Sequence, residues 1–551
     1  MINTGLSDIY SKYPKAVVHL RAQLKRKRLG LIFGAGTSKG LNFPDWSELV
    51  NRIAKNAGVN GSEVLSRCNG DGIKQAPISK SLSTITQILF SQFRQQWLSD
   101  NDLVEPMSFL NEQKLKSSWI KIIHESLYDG MNQIDHLELI KNHPYLEKFC
   151  RIIKNSPMTV NYNFDDSLEK MLINAREGDE VLKTRGYETT YKPNIQFQNS
   201  TGIIYHPNGF LPFTMNDGAS PQVVFADDAF QDQLISAVNG QYVHLSNHIF
   251  QNTCLLVGLS LEDATLQSML RQNAVNNPGN IHYLIHFVRK ESDLDPEIRK
   301  NISDSNFRSY NLLTLFLTND QIAALADLIS LSPEQFELDY QKEKPKFVYY
   351  LVGSVGAGKS TAAEHFRSLL TYDEWIDERK AALALPESEV QEDIPEINEW
   401  IAEQFRKKNY AINKAVEGIH LVDRCPLDPL TFGNASERQT KAKNLLEKVS
   451  DGGTRSIEKG HIIILDCDIE QIQLRNSFKH KYWTESQYQE LVDAIAEIYN
   501  DLDGVTTICT RGRDAVSVAH EIAKIIFLDA YHPIDVEAQL QKHSAPVGAE
   551  V

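Results

Sequence analysis

Two glycine-rich bends carry the clearest chemical signal in the sequence, because each joins an apolar run to a helical pattern. The first is GAGTS at positions 34–38, after LGLIF, and the second is GSVGAGKST at positions 353–361, after FVYYLV. Glycines allow a ligand to approach the bare backbone, and the N–H groups at a helix N-terminus attract anions. The sequence therefore predicts two separate ligand sites, each at the end of a strand.

The second bend matches the complete P-loop pattern G-x-x-x-x-G-K-S in the required context of strand and helix. In this pattern backbone N–H groups surround phosphates, a lysine adds positive charge and a serine hydroxyl binds Mg²⁺. We predict a site for ATP or a (deoxy)nucleotide together with Mg²⁺. The residues assigned to this site are Gly353, Gly356, Gly358, Lys359, Ser360 and Thr361.

Charged residues also follow three later apolar runs in the same half of the chain. Asp423 and Arg424 close the run GIHLVDR, Arg475 lies after HIIILD, and Arg513 lies in the basic turn after GVTTIC. The order of these segments, over about 345–530, resembles the nucleoside and nucleotide monophosphate kinases, particularly the thymidylate and deoxynucleoside kinases. A kinase-like domain is therefore expected here.

This resemblance implies specific roles around the phosphates. Arg424 would hold the acceptor or its phosphate, and Asp423 would join Ser360 in the magnesium shell. Positioning and charge neutralisation are most of what phosphoryl transfer requires. The candidates for the catalytic base are Asp373, Glu374 and Asp377.

The same resemblance implies a mobile basic lid and an adenine end. Arg475 would act from the lid together with Lys479 and Lys481, and Arg511 or Arg513 would lie near the adenine. These kinases often place two arginines in the lid, and a lysine cannot make the planar bidentate contact of an arginine. Nucleotide binding is therefore predicted, whereas turnover is left open.

The first bend is accompanied by four segments in a fixed order. These segments are VNYNFDDSLEKML, YHPNGFLP, VVFADDAF and LLVGLSLEDATLQSML. Together with GAGTSKGLNFPDW, and over about 25–290, they resemble the sirtuin-like domain of bacterial antiphage defence proteins. The resemblance implies that the segments assemble around NAD, with backbone donors of the bend at the pyrophosphate. The implied NAD-binding residues are Gly34, Ala35, Gly36, Thr37, Ser38, Asp45, Gly258, Ser260 and Asp263, of which Ser260 and Asp263 would contact the adenosine end.

The catalytic candidates lie in two of these segments, VNYNFDDSLEKML and YHPNGFLP. Asn163 follows an apolar strand, where α/β sheets present ligand-contacting side chains, and its amide can both donate and accept hydrogen bonds. In the family, a histidine directly precedes the glycine of the turn that corresponds to YHPNG here. In this sequence Asn208 has that position before Gly209. His206 lies two residues earlier on the same face of an extended segment and is predicted as the general base. The catalytic set is Asn163, Asp165, His206 and Asn208.

Composition limits the class of protein. The chain has 551 residues and a formal net charge of -15, which argues against extensive wrapping of nucleic acid. Its six cysteines contain no C-x-x-C pair, so a structural zinc site, a disulfide framework and the zinc module of sirtuin deacylases are not expected. With no signal peptide or membrane-spanning run, the expected location is the cytoplasm.

The pattern of short apolar strands between helices predicts two parallel α/β domains. In the first half the predicted strands are LGLIF, PMTVNYN, GIIYHPNG, VVFA, CLLVG and HYLIHF. The predicted domains are a Rossmann-like sirtuin-type domain at 1–331 and a P-loop kinase-like domain at 347–535. A helical insertion is expected at about 50–150, a connector at 332–346 and a tail at 536–551, frayed from 541 onward.

The resulting prediction is an NAD hydrolase effector of antiphage defence, which converts NAD to ADP-ribose and nicotinamide. The P-loop domain would sense or regulate through a nucleotide or a phage-derived trigger, and a homo-oligomer is expected. Three alternatives stay open. The chain could be an active (deoxy)nucleotide kinase with an NAD-sensing domain, a nucleotide-gated scaffold, or an ADP-ribosyltransferase.

Overall fold

The computed structural model describes residues 4–58, 82–178, 186–195, 201–215, 218–340, 345–385, 389, 391, 394–477 and 483–545. Within these residues, two sheets form, and the neighbouring strands in each sheet run parallel. The predicted α/β class is therefore confirmed. None of the described helices combines the length and apolar character needed to cross a membrane.

The first sheet has the strand order β3-β4-β2-β1-β5-β6-β7. Its strands are β1 Leu29–Phe33, β2 Met158–Asn161, β3 Gly186–Thr190, β4 Thr201–Tyr205, β5 Thr253–Val257, β6 His282–Phe287 and β7 Leu312–Leu317. The strands β2, β3 and β4 lie on one side of β1, and the later strands β5, β6 and β7 lie on the other. Such a reversal opens a crevice at the carboxyl ends of the strands, where parallel α/β sheets bind ligands. The first glycine bend lies at this point.

Helices cover both faces of this sheet. They are α1 Thr4–Lys12, α2 Pro14–Lys25, α3 Trp46–Asn56, α4 Leu82–Asp100, α5 Phe109–Leu127, α6 Gln133–Lys141, α7 Cys150–Asn155, α8 Ser167–Gly178, α9 Asp227–Val238, α10 Val243–Gln251, α11 Ala264–Asn276, α12 Pro296–Tyr310 and α13 Asn319–Ser330. The described part of 50–150 consists mostly of the helices α3 to α7 with short loops between them.

The segment VVFA, predicted as a strand, is not one. Residues 223–226 form an irregular loop that leads directly into α9. The Val224 N–H donates to Asn208 O at 2.7 Å, and Phe225 is buried against Trp46, with the ring centroids 5.3 Å apart. The apolar residues are thus buried by packing on a loop, a situation that short apolar runs do not distinguish from a strand.

The second sheet has the order β12-β11-β8-β10-β9, with β8 at its centre. Its strands are β8 Lys346–Val352, β9 Leu370–Tyr372, β10 Gly418–Asp423, β11 His461–Asp466 and β12 Val505–Cys509. The helices are α14 Pro333–Tyr340, which precedes the sheet, α15 Lys359–Glu364, α16 Ile394–Lys414, α17 Arg438–Val449, α18 Ile469–Ser477, α19 Glu485–Tyr499, α20 Ala515–Phe527 and α21 Val536–Ser544. The P-loop joins β8 to α15.

The predicted connector is a packed element. It contains α14, in which Phe336 is fully buried and lies 3.8 Å below the Arg21 guanidinium. The predicted tail is also structured at its start, because Val536 and Leu540 are fully buried and α21 contacts α17. Residues 541–544, expected to fray, belong to α21, and residues 546–551 lie outside the described part of the chain.

Helix α2 joins the two sheets into one core. The His19 ring packs on Tyr283 of the first sheet and on Phe527 of α20, with centroid distances of 5.8 and 5.2 Å. Arg21 forms a buried ion pair with Glu417, just before β10, at 2.8 Å. One hydrophobic cluster therefore runs from the first sheet through α2 into the P-loop half.

Candidate functional site

The backbone N–H groups of the first bend donate hydrogen bonds to carbonyl groups of the protein itself. The Gly34 N–H donates to Val257 O at 3.0 Å and the Gly36 N–H to Gly258 O at 2.8 Å. The Thr37 N–H donates to Gly34 O at 3.0 Å, and the Ser38 N–H follows the same pattern onto Ala35 O at 3.1 Å. The amides expected at a pyrophosphate are thus mostly occupied, and a phosphate contact through them would require the bend to open.

The glycines of this bend are needed for close packing against the loop after β5. A Cβ at Gly36 would lie 2.8 Å from the Gly258 Cα, and a Cβ at Gly258 would lie 2.6 Å from the Thr37 nitrogen. Gly258 also has a φ of +70°, a conformation that L side chains rarely adopt. Gly34, Gly36, Thr37 and Gly258 therefore form one tightly packed unit at the carboxyl ends of β1 and β5.

Asn163 is the residue that reaches this unit from β2. Its side-chain amide nitrogen lies 3.1 Å from Gly34 O, 3.1 Å from Thr37 Oγ1 and 2.9 Å from Ser38 Oγ. Asn163 is 9% exposed. Within the described residues no group donates to its Oδ1, so this oxygen is the acceptor that Asn163 offers at the crevice.

Asp165 continues the polar chain. Its carboxylate accepts hydrogen bonds from the Ser38 hydroxyl and the Ser167 N–H, both at 3.0 Å. Burial raises the pKa of Asp165 above its ordinary value. The catalytic candidates Asn163 and Asp165 are thereby connected through Ser38, an NAD-binding candidate, and their chemical roles stay predictions.

His206 is fully buried behind Asn163. Its Nδ1 lies 2.7 Å from the backbone oxygen of Asn163, and its Nε2 lies 2.8 Å from Glu169 Oε1. Burial alone would lower the pKa of His206, but the charge and hydrogen bond of Glu169 raise it above its ordinary value. Both ring nitrogens are therefore in contact with protein oxygens.

The remaining NAD candidates are spread around the crevice. Asn208 is buried, and its Oδ1 accepts from Gln233 Nε2 at 3.2 Å. Asp45 and Asp263 are helix N-caps, accepting from the N–H groups of Glu48 and Leu266 at 2.9 and 2.7 Å. Their expected contacts with NAD stay predictions.

Asp263 was expected at the adenosine end of NAD. Burial raises its pKa, and its Oδ2 is buried without a partner in the described chain. Ser260 is exposed. The orphaned carboxylate oxygen is the feature there that fits a polar ligand, because a buried polar atom ordinarily has a partner.

Three residues around the first bend were not predicted from the sequence. Glu169 contacts His206, Gln233 Nε2 donates to Pro207 O at 3.0 Å, and His143 Nε2 lies 3.0 Å from Thr37 O. Each comes from a different helix or loop, so no local spacing connects it to the motif. Only the packing of α8, α9 and the segment before α7 brings these side chains together.

The P-loop differs in its backbone. Gly353, Gly356 and Gly358 have φ values of +144°, +94° and +103°. Within the described chain no group accepts a hydrogen bond from the N–H groups of Gly356, Gly358, Lys359 or Ser360. These donors stand at the N-terminus of α15, the arrangement that binds phosphate.

The P-loop is anchored from α18 by Asn476, which was not predicted. The Asn476 side-chain amide donates to Val355 O at 2.9 Å, and a Cβ at Gly356 would lie 2.6 Å from the nitrogen of this amide. Arg475, one residue earlier, donates to Ala357 O at 3.3 Å. The predicted lid residue thus contacts the P-loop directly, whereas Lys479 and Lys481 lie outside the described residues.

The groups assigned to the phosphates and magnesium are adjacent. Lys359 is 5% exposed and donates to Gly353 O and Ser354 O at 2.8 and 3.0 Å, and burial lowers its pKa. The Ser360 hydroxyl donates to Asp423 Oδ2 at 2.7 Å, while Asp423 Oδ1 is buried without a partner. Hydroxyl and carboxylate oxygens are ligands that Mg²⁺ accepts.

A complete protein cage for a metal is not present among the described residues, since no group of three or more histidine, cysteine, aspartate or glutamate side chains could hold one. The magnesium shell would therefore need water and phosphate oxygens in addition to Ser360 and Asp423. That is how Mg²⁺ is usually held at nucleotide sites.

A cavity of about 450 Å³ opens beside the P-loop. Its lining residues are Gly356, Ala357, Gly358, Thr361, Ala362, Arg475, Thr510, Arg513, Asp514, Ala515 and Val518. Arg475 and Arg513 thus reach the same space as the predicted phosphate donors. Arg511, the other candidate for the adenine end, is paired with Asp468 at the surface.

Arg424 follows β10, close enough to the P-loop lysine to affect its charge, and has a left-handed conformation with a φ of +74°. Its NH2 lies 2.7 Å from Glu374 Oε1, and its NH1 lies 3.6 Å from Asp428. Burial alone would raise the pKa of Glu374, but Arg424 and Lys359 lower it to about 2. Among the base candidates only Glu374 joins this cluster.

The other two base candidates point to the surface. Asp373 pairs with Arg367 at 2.8 Å and Asp377 with Lys407 at 2.6 Å. Sequence reasoning missed Lys408, which donates to Glu374 O at 2.9 Å and to Asp423 O at 2.7 Å. Burial lowers the pKa of Lys408 to about 8.

Comparison with known proteins supports the first half of the prediction. Residues 157–314 match the family model of the SIR2-like domain. The match includes Asn163, His206 and Asp263, and it begins after the first bend. Comparison with curated proteins gave no match. The SIR2-like match, with the crevice after β1, supports an NAD-related function for the amino-terminal half.

Proposed function

We propose that the amino-terminal half hydrolyses NAD to ADP-ribose and nicotinamide. The observation that carries this proposal is the position of Asn163. Its amide nitrogen is bound to the bend after β1, while its Oδ1 has no donor among the described residues. The SIR2-like match at 157–314 is consistent with this use of NAD.

The chemistry needs a held ribose and one positioned water. Cleavage of the nicotinamide–ribose bond leaves the bonding electron pair on nicotinamide and builds positive charge on the ribose carbon of that bond. Water then attacks this carbon and releases one proton to the solvent, which gives ADP-ribose. An amide oxygen can accept a hydrogen bond from a ribose hydroxyl or from this water, and a fixed acceptor costs no reorganisation during the reaction. Asn163 Oδ1 supplies such an acceptor at the crevice.

The test is mass spectrometry of NAD incubated with the wild type and with Asn163→Ala, each with and without ATP and deoxynucleotides. We expect ADP-ribose and nicotinamide from the wild type and at least about 100-fold slower cleavage by the variant. Asn155→Ala, an exposed asparagine before β2, is the matched control and should behave as wild type. Intact NAD in every wild-type incubation would contradict the proposal.

The test also separates hydrolysis from transfer. Free ADP-ribose is the product expected from hydrolysis. Label from NAD that appears on protein or nucleic acid would instead identify an ADP-ribosyltransferase, and tight NAD binding without any product would identify a scaffold.

We further propose that the P-loop half binds a nucleotide with Mg²⁺ and controls the NAD reaction. The free N–H groups at α15, the Ser360–Asp423 pair and the neighbouring cavity support binding. Control requires the nucleotide, or a phage-derived trigger, to bind the active arrangement more tightly than the resting one. A role in antiphage defence is proposed from the resemblance of the ordered segments.

Phosphoryl transfer by the P-loop half is the second candidate function. It is favoured by Glu374, whose carboxylate Arg424 and Lys359 keep ionised beside the P-loop, so that it could accept a hydrogen bond from an acceptor hydroxyl and orient it. ATP-dependent phosphorylation of a nucleoside panel tests it. Turnover in the wild type, lost in Glu374→Gln and kept in the adjacent surface variant Asp373→Asn, would support a kinase.

A further inference from the structure

We propose that Glu169 and His206 form a buried pair that shares a proton and positions Asn163, so that His206 is a positioning residue and not the general base. This inference deepens the proposed NAD reaction and rests on it. Its basis is the set of contacts around the imidazole, which the sequence did not predict.

The first step is an account of the hydrogen atoms. A backbone carbonyl only accepts hydrogen bonds, so Nδ1, 2.7 Å from Asn163 O, must carry a hydrogen. The Nε2 lies 2.8 Å from a carboxylate oxygen, so a proton lies between them, on His206 or on Glu169. In either state neither ring nitrogen presents a free lone pair to a substrate, which a general base requires.

The second step concerns the surroundings of the ring. His206 has 0% exposure and packs on Phe210, with the ring centroids 4.7 Å apart. The charged groups that face it are Glu169 from α8 and Asp165 from the loop after β2. Both are carboxylates, and among the described residues no cation is in contact with the ring, so the neighbouring charges favour a protonated imidazole.

The third step explains what the pair does. The carbonyl that His206 holds belongs to Asn163, whose side chain holds Gly34, Thr37 and Ser38. The Thr189 hydroxyl donates to Glu169 Oε1 at 3.1 Å and fixes the carboxylate. A hydrogen bond that holds the backbone oxygen of Asn163 also restricts the direction in which its side-chain amide can point.

Two substitutions of His206 separate positioning from base catalysis. In His206→Asn, the amide nitrogen replaces Nδ1 and can still donate to Asn163 O, but an amide cannot accept the proton that a base must take. In His206→Phe both functions are lost. We expect His206→Asn to keep kcat for NAD cleavage within about 10-fold of wild type and His206→Phe to lose about 100-fold.

Glu169→Gln extends the test, since a glutamine can still hold the ring. We expect kcat within about 10-fold of wild type and an unchanged pH profile, and the exposed Glu188→Gln serves as the control for removing an acidic charge. Thermal unfolding of each variant verifies folding. Equal losses in His206→Asn and His206→Phe, in folded proteins, would overturn the proposal.

A second readout does not depend on activity. In protein labelled with ¹⁵N-histidine, the His206 signals are identified by their absence in His206→Asn. We expect Nδ1 to be protonated at about pH 7. An unprotonated Nδ1 would overturn the pair even if NAD is cleaved. A protonated Nδ1 in a protein that leaves NAD intact would keep the pair and refute the NAD reaction alone.

Discussion

The bend after β1 and the P-loop after β8 have similar glycine-rich sequences and equivalent places at the ends of central strands, yet they use their backbone donors in opposite ways. In the first bend, the N–H groups of Gly34 and Gly36 donate to carbonyls of the β5 strand and its loop. In the P-loop, the N–H groups of Gly356 and Gly358 have no acceptor in the described part of the chain.

This difference shows what can be inferred from a glycine-rich motif. Glycine indicates that something comes close to the backbone, but the approaching group may be protein or ligand. At Gly36 it is the backbone of Gly258, and at Gly356 it is the Asn476 side chain, while the N–H groups of Gly356 and Gly358 have no acceptor in the described chain. The proposed recognition of NAD at the first site therefore relies on side chains, above all Asn163, and the proposed recognition of a nucleotide at the second site relies on the backbone.

The largest effect is expected from Lys359→Ala. The lysine supplies the positive charge of the P-loop, and a hydrogen bond to a charged group contributes roughly 1.5–3 kcal/mol, so the affinity for Mg²⁺–ATP should fall by about 100-fold. Isothermal titration calorimetry measures this. Lys39→Ala, at the exposed lysine directly after the first bend, should bind ATP as the wild type does. Similar losses in both would refute the difference between the bends.

An intermediate effect is expected when a methyl group is added to the first bend. In Gly36→Ala the Cβ would lie 2.8 Å from the backbone of Gly258, so the loops must separate at a cost of about 1–3 kcal/mol. Gly40→Ala is the control, since its nearest contact is the His143 ring at 3.4 Å and a change within about 0.5 kcal/mol is expected. Urea unfolding measures both, and equal free energies would contradict the backbone packing.

The smallest effect concerns pH and the buried lysine near the P-loop. Burial lowers the pKa of Lys408 to about 8, so above that pH the unfolded chain binds more protons than the folded one and stability rises with pH. From about pH 8 to 9, the wild type should gain about 1 kcal/mol relative to Lys408→Met. Urea unfolding at several pH values measures this, with the exposed Lys407→Met as the control. A constant difference would refute the shift.

Several local features were predictable. The strands β1, β2, β8, β10 and β11 were recognised from apolar runs with glycine or charged residues at their ends. The glycine bends were recognised for the same reason. Strands β3, β7 and β9 were not predicted. The half-buried residues of β3 and β9 give weak apolar patterns, whereas β7 is a fully buried apolar run that the prediction overlooked.

The partners of the site residues were beyond sequence reasoning. Nothing in the pattern of α8 distinguishes Glu169 from other acidic residues, yet it holds His206. Lys408 looks like one more lysine on an amphipathic helix, but it is buried between Glu374 and Asp423. The base candidate Glu374 could not be separated from Asp373 and Asp377 by sequence, because the three acids lie in an irregular segment where spacing does not predict which side chain points inward.

The sequence by itself determined the α/β class, the strands that carry the two bends and the P-loop pattern with its lysine and serine, because these signals are local and depend on residue type and spacing. Only the tertiary structure decided which backbone donors are free, which acid holds His206 and how α2 joins the two sheets. Those properties depend on contacts between segments far apart in the chain. Local spacing carries no information about such contacts.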